Sequence, residues 1–225
     1  EVLSDVSFSI NKGEMLGIIG KTGAGKTSIV YLLSRLYSQK AGSIKIGGVN
    51  IQDIPLKHLR SSLGIVLQEP FLYSKSIKEN IRMARPNASD EEVIEASKKA
   101  AFHEDVMQLK DGYETIVGEN GITLSGGQKQ RLSIARTLLK DVPIVIFDDS
   151  LSSVDSATDA KIRHAMRDMR KDKILIVISH RLSSIMDADN IITLQDGKII
   201  EEGKHDVLMK KAGVYKKVFD MQNLA

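Results

Sequence analysis

One octapeptide restricts this chain more than anything else in it. Gly20-Lys21-Thr22-Gly23-Ala24-Gly25-Lys26-Thr27 fits G-x-x-x-x-G-K-[ST]. It stands between an apolar run, Leu16-Gly17-Ile18-Ile19, and a helix-forming stretch, Ser28-Ile29-Val30-Tyr31-Leu32-Leu33. Glycines at this spacing let successive backbone N–H groups wrap a phosphate, and the helix that follows points the positive end of its dipole at the same place. A buried strand must deliver such a loop and a helix must leave it, so the motif carries an α/β architecture with it. Lys26 is placed to reach the β- and γ-phosphates of a nucleotide, and the Thr27 hydroxyl to ligate Mg²⁺.

The rest of the chain agrees with that architecture. Ile65-Val66-Leu67, Ile144-Val145-Ile146-Phe147 and Ile174-Leu175-Ile176-Val177-Ile178 are continuous apolar, largely β-branched runs. Such runs suit parallel strands covered on both faces, with helices between them. Residues 2–10, 43–46 and 49–54 instead alternate around Gly47-Gly48, the pattern of antiparallel strands joined by a tight turn. Residues 74–125 interrupt the strand–helix alternation with helical sequence, opened by capping boxes at Ser76 with Glu79 and Ser89 with Glu92. The expected fold is α/β: a P-loop core with a mostly parallel sheet, an N-terminal antiparallel β subdomain and an inserted helical subdomain. One domain fills residues 1–225, with core 1–73 and 126–225 and helical insert about 74–125.

Two further motifs bear on chemistry. Ile144-Val145-Ile146-Phe147-Asp148 ends a buried strand on an acidic residue, where it faces the ligand crevice of an open α/β sheet and can hold Mg²⁺ through water. Leu124-Ser125-Gly126-Gly127-Gln128 opens a helix over Lys129–Leu139. Ser125 and Gln128 form an S-x-x-Q capping box, but a capping box does not require two glycines. Glycines at a helix N-terminus clear the way for an anion.

The phosphate loop combined with this pentapeptide resembles the ATP-binding cassette family, over essentially the whole chain. The resemblance implies an ATP- and Mg²⁺-dependent ATPase. Its ATP-binding set is Gly20, Lys21, Thr22, Gly23, Ala24, Gly25, Lys26, Thr27 and Ser28, and its metal set is Thr27, Gln68 and Asp148. Gln68 matches the family's glutamine loop, which also senses the membrane partner. Ser152 and Asp155, in Ser152-Ser153-Val154-Asp155, match the loop crossing a dimer interface. His180, after the strand Ile174–Ile178, matches the switch histidine at the γ-phosphate. In this family two domains dock head to tail, so Leu124, Ser125, Gly126, Gly127 and Gln128 are expected to act on the partner's nucleotide. The stretch Gly112-Tyr113-Glu114-Thr115-Ile116-Val117-Gly118-Glu119-Asn120-Gly121 looks like exporters of the multidrug, peptide and lipid type. That implies a membrane domain upstream, a place on the cytoplasmic face of a membrane and a second nucleotide-binding domain as partner.

Two positions depart from the family pattern. The family's hydrolytic base is a Glu directly after the strand-ending Asp; here the pair is Asp148-Asp149. Asp is one methylene shorter, and a shift of about 1 Å in a catalytic group can cost on the order of 10²-fold in rate. The expectation is a site that binds ATP and hydrolyses it slowly, paired in a heterodimer with a competent one. No aromatic precedes Phe8, so the family's adenine-stacking residue is expected upstream of Glu1. Composition closes other routes. With Lys+Arg 32 against Asp+Glu 29, the net charge of +3 gives no support to a nucleic-acid polyelectrolyte binder, and the absence of cysteine excludes disulfide scaffolds and thiolate metal sites. A soluble cassette ATPase acting on DNA or ribosomes is the alternative. A small P-loop kinase or GTPase would leave the Leu124–Gln128 loop and the helical insert unexplained.

Overall fold

The computed structural model describes residues 2–118, 124–151 and 155–223. Its main sheet contains β1 (Met15–Gly20), β4 (Leu63–Val66), β5 (Ile144–Asp148), β6 (Ile174–Ile178), β7 (Asn190–Gln195) and β8 (Lys198–Gly203), in the order β4-β5-β6-β1-β7-β8. Every neighbouring pair is parallel except β7–β8, a hairpin turned at Asp196 and Gly197, both with positive φ. The continuous apolar runs split between two faces with period 2. Leu16, Ile18, Ile144, Ile146, Ile176 and Ile178 enter one core cluster; Met15, Ile19, Val145, Phe147, Leu175 and Val177 enter the other. A strand buried on both faces cannot alternate with polar residues, which is why these runs read as unbroken. Full burial of each such side chain contributes about 1.5–3 kcal/mol.

One face is covered by α1 (Lys26–Leu33), α2 (Leu56–Ser61) and the N-terminal segment. The other carries α3 (Ile77–Arg82), α4 (Asp90–Lys99), α5 (His103–Gln108), α6 (Gly126–Leu139), α7 (Ser156–Met169), α8 (His205–Lys210) and α9 (Val214–Asn223). The capping boxes form as read. Ser76 Oγ accepts from Glu79 N at 3.1 Å while Glu79 Oε2 accepts from Ser76 N at 3.0 Å. Ser89 and Glu92 exchange the same bonds at 3.3 and 2.8 Å.

The N-terminal antiparallel sheet is smaller than the alternation suggests. It is a hairpin of β2 (Lys45–Ile46) and β3 (Val49–Asn50), turned by Gly47 and Gly48, both at positive φ. Residues 2–10 do not join it as a strand. Leu3, Val6, Phe8 and Ile10 pack against the core, and Asp5 at φ 53° breaks any ladder. The alternation there records one-sided burial, which an extended segment achieves without strand pairing. Residues 51–54 turn away after β3, with Ile51 fully buried.

Because β1, β4, β5 and β6 are parallel, their C-terminal ends share one edge of the sheet. That edge presents the glycine loop after β1, Leu67 and Gln68 after β4, Asp148 and Asp149 at the end of β5, and Ser179 and His180 after β6.

Candidate functional site: a phosphate cradle at the strand ends

The glycine loop is fitted at both ends. A Cβ on Gly20 would lie 2.3 Å from the Leu194 carbonyl oxygen. Gly25, at φ 98°, caps α1, and a Cβ there would lie 2.7 Å from Leu3 Cδ2. No side chain caps α1 and no acidic residue stands in its first turn, so its N–H groups and positive dipole end face the loop uncompensated. Lys26 begins that helix and is 7% exposed. Its Nζ donates to the carbonyls of Gly20 at 2.7 Å and Lys21 at 3.0 Å. Burial pulls its pKa below the usual lysine value, and the carboxylates of Asp149 and Asp148 offset part of that shift. A buried ammonium beside an open helix N-terminus is a binding place for an anion. Lys21, Thr22 and Gly23 form the exposed rim, Ala24 is buried, and Ser28 donates its N–H to Gly25 O at 3.1 Å.

Asp148 closes the cradle from the β5 side. Thr27 Oγ1 donates to Asp148 Oδ1 at 3.4 Å. Burial pushes the Asp148 carboxyl above the usual carboxylate range, and the Thr27 hydroxyl and Lys26 pull the other way. A hydroxyl and a carboxylate together are the all-oxygen donor set that hard cations such as Mg²⁺ prefer. Asp149 follows at φ 46°, a left-handed conformation that Asp tolerates better than most residues. Its N–H donates to Ile178 O at 2.8 Å. Asp149 Oδ1 accepts from His180 N at 3.3 Å, and Oδ2 lies 3.8 Å from His180 Nε2. The side chain of Asp149 is 9% exposed, that of His180 44%.

The loop Leu124–Gln128, which the family resemblance makes the signature loop, is elsewhere. Ser125 Oγ accepts from Gln128 N at 3.3 Å and Gln128 Oε1 accepts from Ser125 N at 3.0 Å, completing the capping box that opens α6. Leu124 is buried; Ser125 and Gly126 are exposed, Gly127 and Gln128 half-buried. A Cβ on Gly126 would meet nothing within 4 Å. Among the described residues, no hydrogen bond or ion pair joins Leu124–Gln128 to the phosphate loop. Gln68 is likewise exposed, beyond the end of β4. Asp155 caps α7, its Oδ1 accepting from Ala157 N at 3.2 Å and Thr158 N at 3.0 Å. Ser152 lies outside the described residues, as does part of the 112–121 stretch.

Three supporting residues have no motif in the sequence. Gln128 Nε2 donates to Asp105 Oδ1 at 3.1 Å, and Asp105 pairs with Arg131 at 2.9 Å, their side chains 23% and 13% exposed. The buried Gln130 donates to Leu67 O at 3.0 Å, tying α6 to the residue before Gln68. Asp105 is far from Gln128 in sequence, so only the fold brings them together.

Comparison with known proteins agrees with this geometry. A family model described as ABC transporter matches residues 3–152. YknU of Bacillus subtilis, an ABC transporter ATP-binding protein, is 46% identical over 220 residues, covering 98% of this chain and 38% of its own length. YgaD of the same organism, named as a multidrug export ATP-binding/permease protein, is 45% identical over 99% of this chain and 38% of its own. A bacterial Atm1-family ABC exporter solved with ATP bound superposes with a TM-score of 0.96 at 41% identity, over 98% of this chain and 39% of the other. The chain thus spans less than half the length of these relatives. With the cradle and the signature loop both in place, the chain belongs to the ABC transporter family and carries its nucleotide-binding fold across nearly its whole length.

Proposed function

We propose that this chain is the ATP-binding and ATP-hydrolysing motor domain of an exporter, working on the cytoplasmic face of a membrane. The observation that carries this reading is the convergence of Lys26, Thr27, Asp148, Asp149 and His180 on one sheet edge beneath an uncapped helix N-terminus. Lys26 and the loop N–H groups hold the phosphates, Thr27, Asp148 and Gln68 hold Mg²⁺, and His180 meets the γ-phosphate. Bound Mg²⁺ neutralises phosphate charge and supplies Lewis-acid assistance to phosphoryl transfer.

The signature loop serves a second domain docked head to tail. Its exposed helix start and the open space beside Gly126 support an occupant from outside the chain. A membrane domain is the other partner. Phe71, Tyr73 and Met83 are exposed apolar residues, and Tyr73 and Met83 border a groove that Arg136 and Lys140 also line. Apolar surface of this kind marks an interaction site, and the permease in the name of YgaD supplies the chemistry of its occupant. Among the described residues no helix is long and apolar enough to cross a membrane. The relatives' names favour export over action on DNA or ribosomes.

At its own site the chain hydrolyses slowly. Asp149 Oδ1 is held by the His180 N–H, so the short carboxylate leans toward β6, and one further methylene would be needed to reach outward. The deciding experiment measures ATP turnover by the intact protein in lipid vesicles, alone and with candidate partner half-transporters. Loss of nucleotide binding on Lys26→Ala supports the cradle; a wild-type affinity in that variant would remove it.

A further inference from the structure

The last helix of the chain reaches the catalytic edge. Tyr215, Val218, Phe219 and Gln222 fall at i, i+3, i+4 and i+7 along α9, one face of the helix. The first three pack on the core: Tyr215 is fully buried, its N–H donates to Glu201 Oε2 at 2.8 Å, and its hydroxyl meets His205 Nδ1 at 2.8 Å. Gln222 continues the same stripe but is polar and exposed. Its Nε2 donates to the His180 carbonyl at 2.6 Å, and its Oε1 accepts from the Leu182 N–H at 2.9 Å. A carbonyl can only accept and an N–H can only donate, so the Gln222 amide serves the two contacts from its two ends, and they fix which end of it is which.

On its other side the same residue is held by Asp149, whose Oδ1 accepts the His180 N–H at 3.3 Å. The His180 backbone is therefore gripped at N–H by Asp149, just after β5, and at C=O by α9, and Leu182, 2% exposed, pins the following turn into the core. We propose that Gln222 is a positioning residue for His180, its amide clasping the loop so that the imidazole is presented to the γ-phosphate. The proposal rests on the reading of His180 as the γ-phosphate contact.

The test uses the intact protein and compares affinities for a non-hydrolysable γ-imido ATP analogue and for ADP. ADP lacks the γ-phosphate, so a misplaced His180 should weaken the analogue alone. Gln222→Ala is expected to lower the analogue-to-ADP affinity ratio roughly three- to tenfold, the scale of losing one or two neutral hydrogen bonds. ADP affinity and melting temperature should hold, because Gln222 is exposed. Gln222→Met keeps the stem and the helix and should lose as much as Ala; a wild-type ratio in Met would assign the effect to packing and overturn the proposal. Gln222→Glu keeps an acceptor for Leu182 N–H but sets a carboxylate against a carbonyl, and should do no better. Hydrogen exchange of the peptide over residues 180–185 should speed up in the Ala and Met variants, which remove the acceptor of the Leu182 N–H, and unchanged exchange in both would also overturn the clasp. His180→Ala separates the two readings. If it leaves the ratio unchanged, the role of His180 falls; if it lowers the ratio and Gln222→Ala does not, the role of Gln222 falls.

Discussion

The phosphate loop and the signature loop use the same local device, glycines before a helix N-terminus, in opposite surroundings. Around Gly20 and Gly25 the chain is crowded: a side chain would strike Leu194 or Leu3, and Lys26 is buried with its own carbonyl partners and two carboxylates. Around Gly126 there is open space, the capping residues are exposed, and support comes from behind, through Gln128, Asp105 and Arg131. The first loop is finished by its own domain. The second has its back finished and its front left free. The contrast separates residues whose effect should show within one chain from residues whose effect should need two.

The hardest blow to that contrast is aimed at Lys26. Lys26→Ala should weaken ATP binding by about 10²-fold or more, since charge-assisted bonds to phosphate are worth about 1.5–3 kcal/mol each; calorimetry on the single protein reads it, and unchanged affinity would remove Lys26 from the cradle. Gly126→Asp should leave that affinity within about twofold, yet place a negative charge where a partner's nucleotide would sit. ATPase activity of the assembled dimer should fall by about 10²-fold, as when an oriented electrostatic contact is lost. If Gly126→Asp weakens binding in one chain as Lys26→Ala does, the two loops are not separate.

Asp149→Glu sharpens the comparison within the phosphate side. It restores the methylene and should raise turnover at this chain's own site, by up to about 10²-fold, in single-turnover assays with a competent partner. Asp149→Asn should change total activity little; loss of most activity would make Asp149 a working base. Asp105→Asn acts more gently on the other loop. It removes the charge partner of Arg131 in a partly solvated pair, a loss of about 1–2 kcal/mol. It should slow dimer hydrolysis several-fold, with ATP binding by this chain unaltered.

The smallest effect is in pH. Burial raises the Asp148 carboxyl above its unfolded value. Between those two values the folded chain keeps a proton that the unfolded chain has released, so this group's contribution to stability is greatest below the window and declines as pH rises through it. The proposed Mg²⁺ site uses this carboxylate, so Mg²⁺ affinity should fall as pH is lowered through the same window. Asp148→Asn should abolish that pH dependence, as followed by Mg²⁺ titration at fixed nucleotide.

Much of this was legible in the sequence for identifiable reasons. Lys26, Thr27, Asp148 and the capping boxes at Ser76, Ser89 and Ser125 sit within short windows where spacing and chemistry coincide, and the apolar runs report strands buried on two faces. Residues 2–10 misled because period-2 burial does not require a pairing partner, and Asp5 turns out of the ladder. Asp105, Arg131, Gln130 and Gln222 were invisible because each acts through a contact made by tertiary folding. Gln222 and the His180 carbonyl are 42 residues apart along the chain, and no local pattern marks such a pair.

Gly126 bears on how this protein should be surveyed by mutation. Its φ is not left-handed and nothing crowds its α-carbon. At a helix start, replacing Gly by Ala should even stabilise the fold, by about 0.4–1 kcal/mol through loss of unfolded-state freedom. A library sorted for abundance or solubility would therefore rank position 126 among the tolerant ones, whereas growth under selection for export would rank it among the forbidden. Positions on which the two screens disagree would trace the footprint of the proposed partner domain, without a structure of the complex.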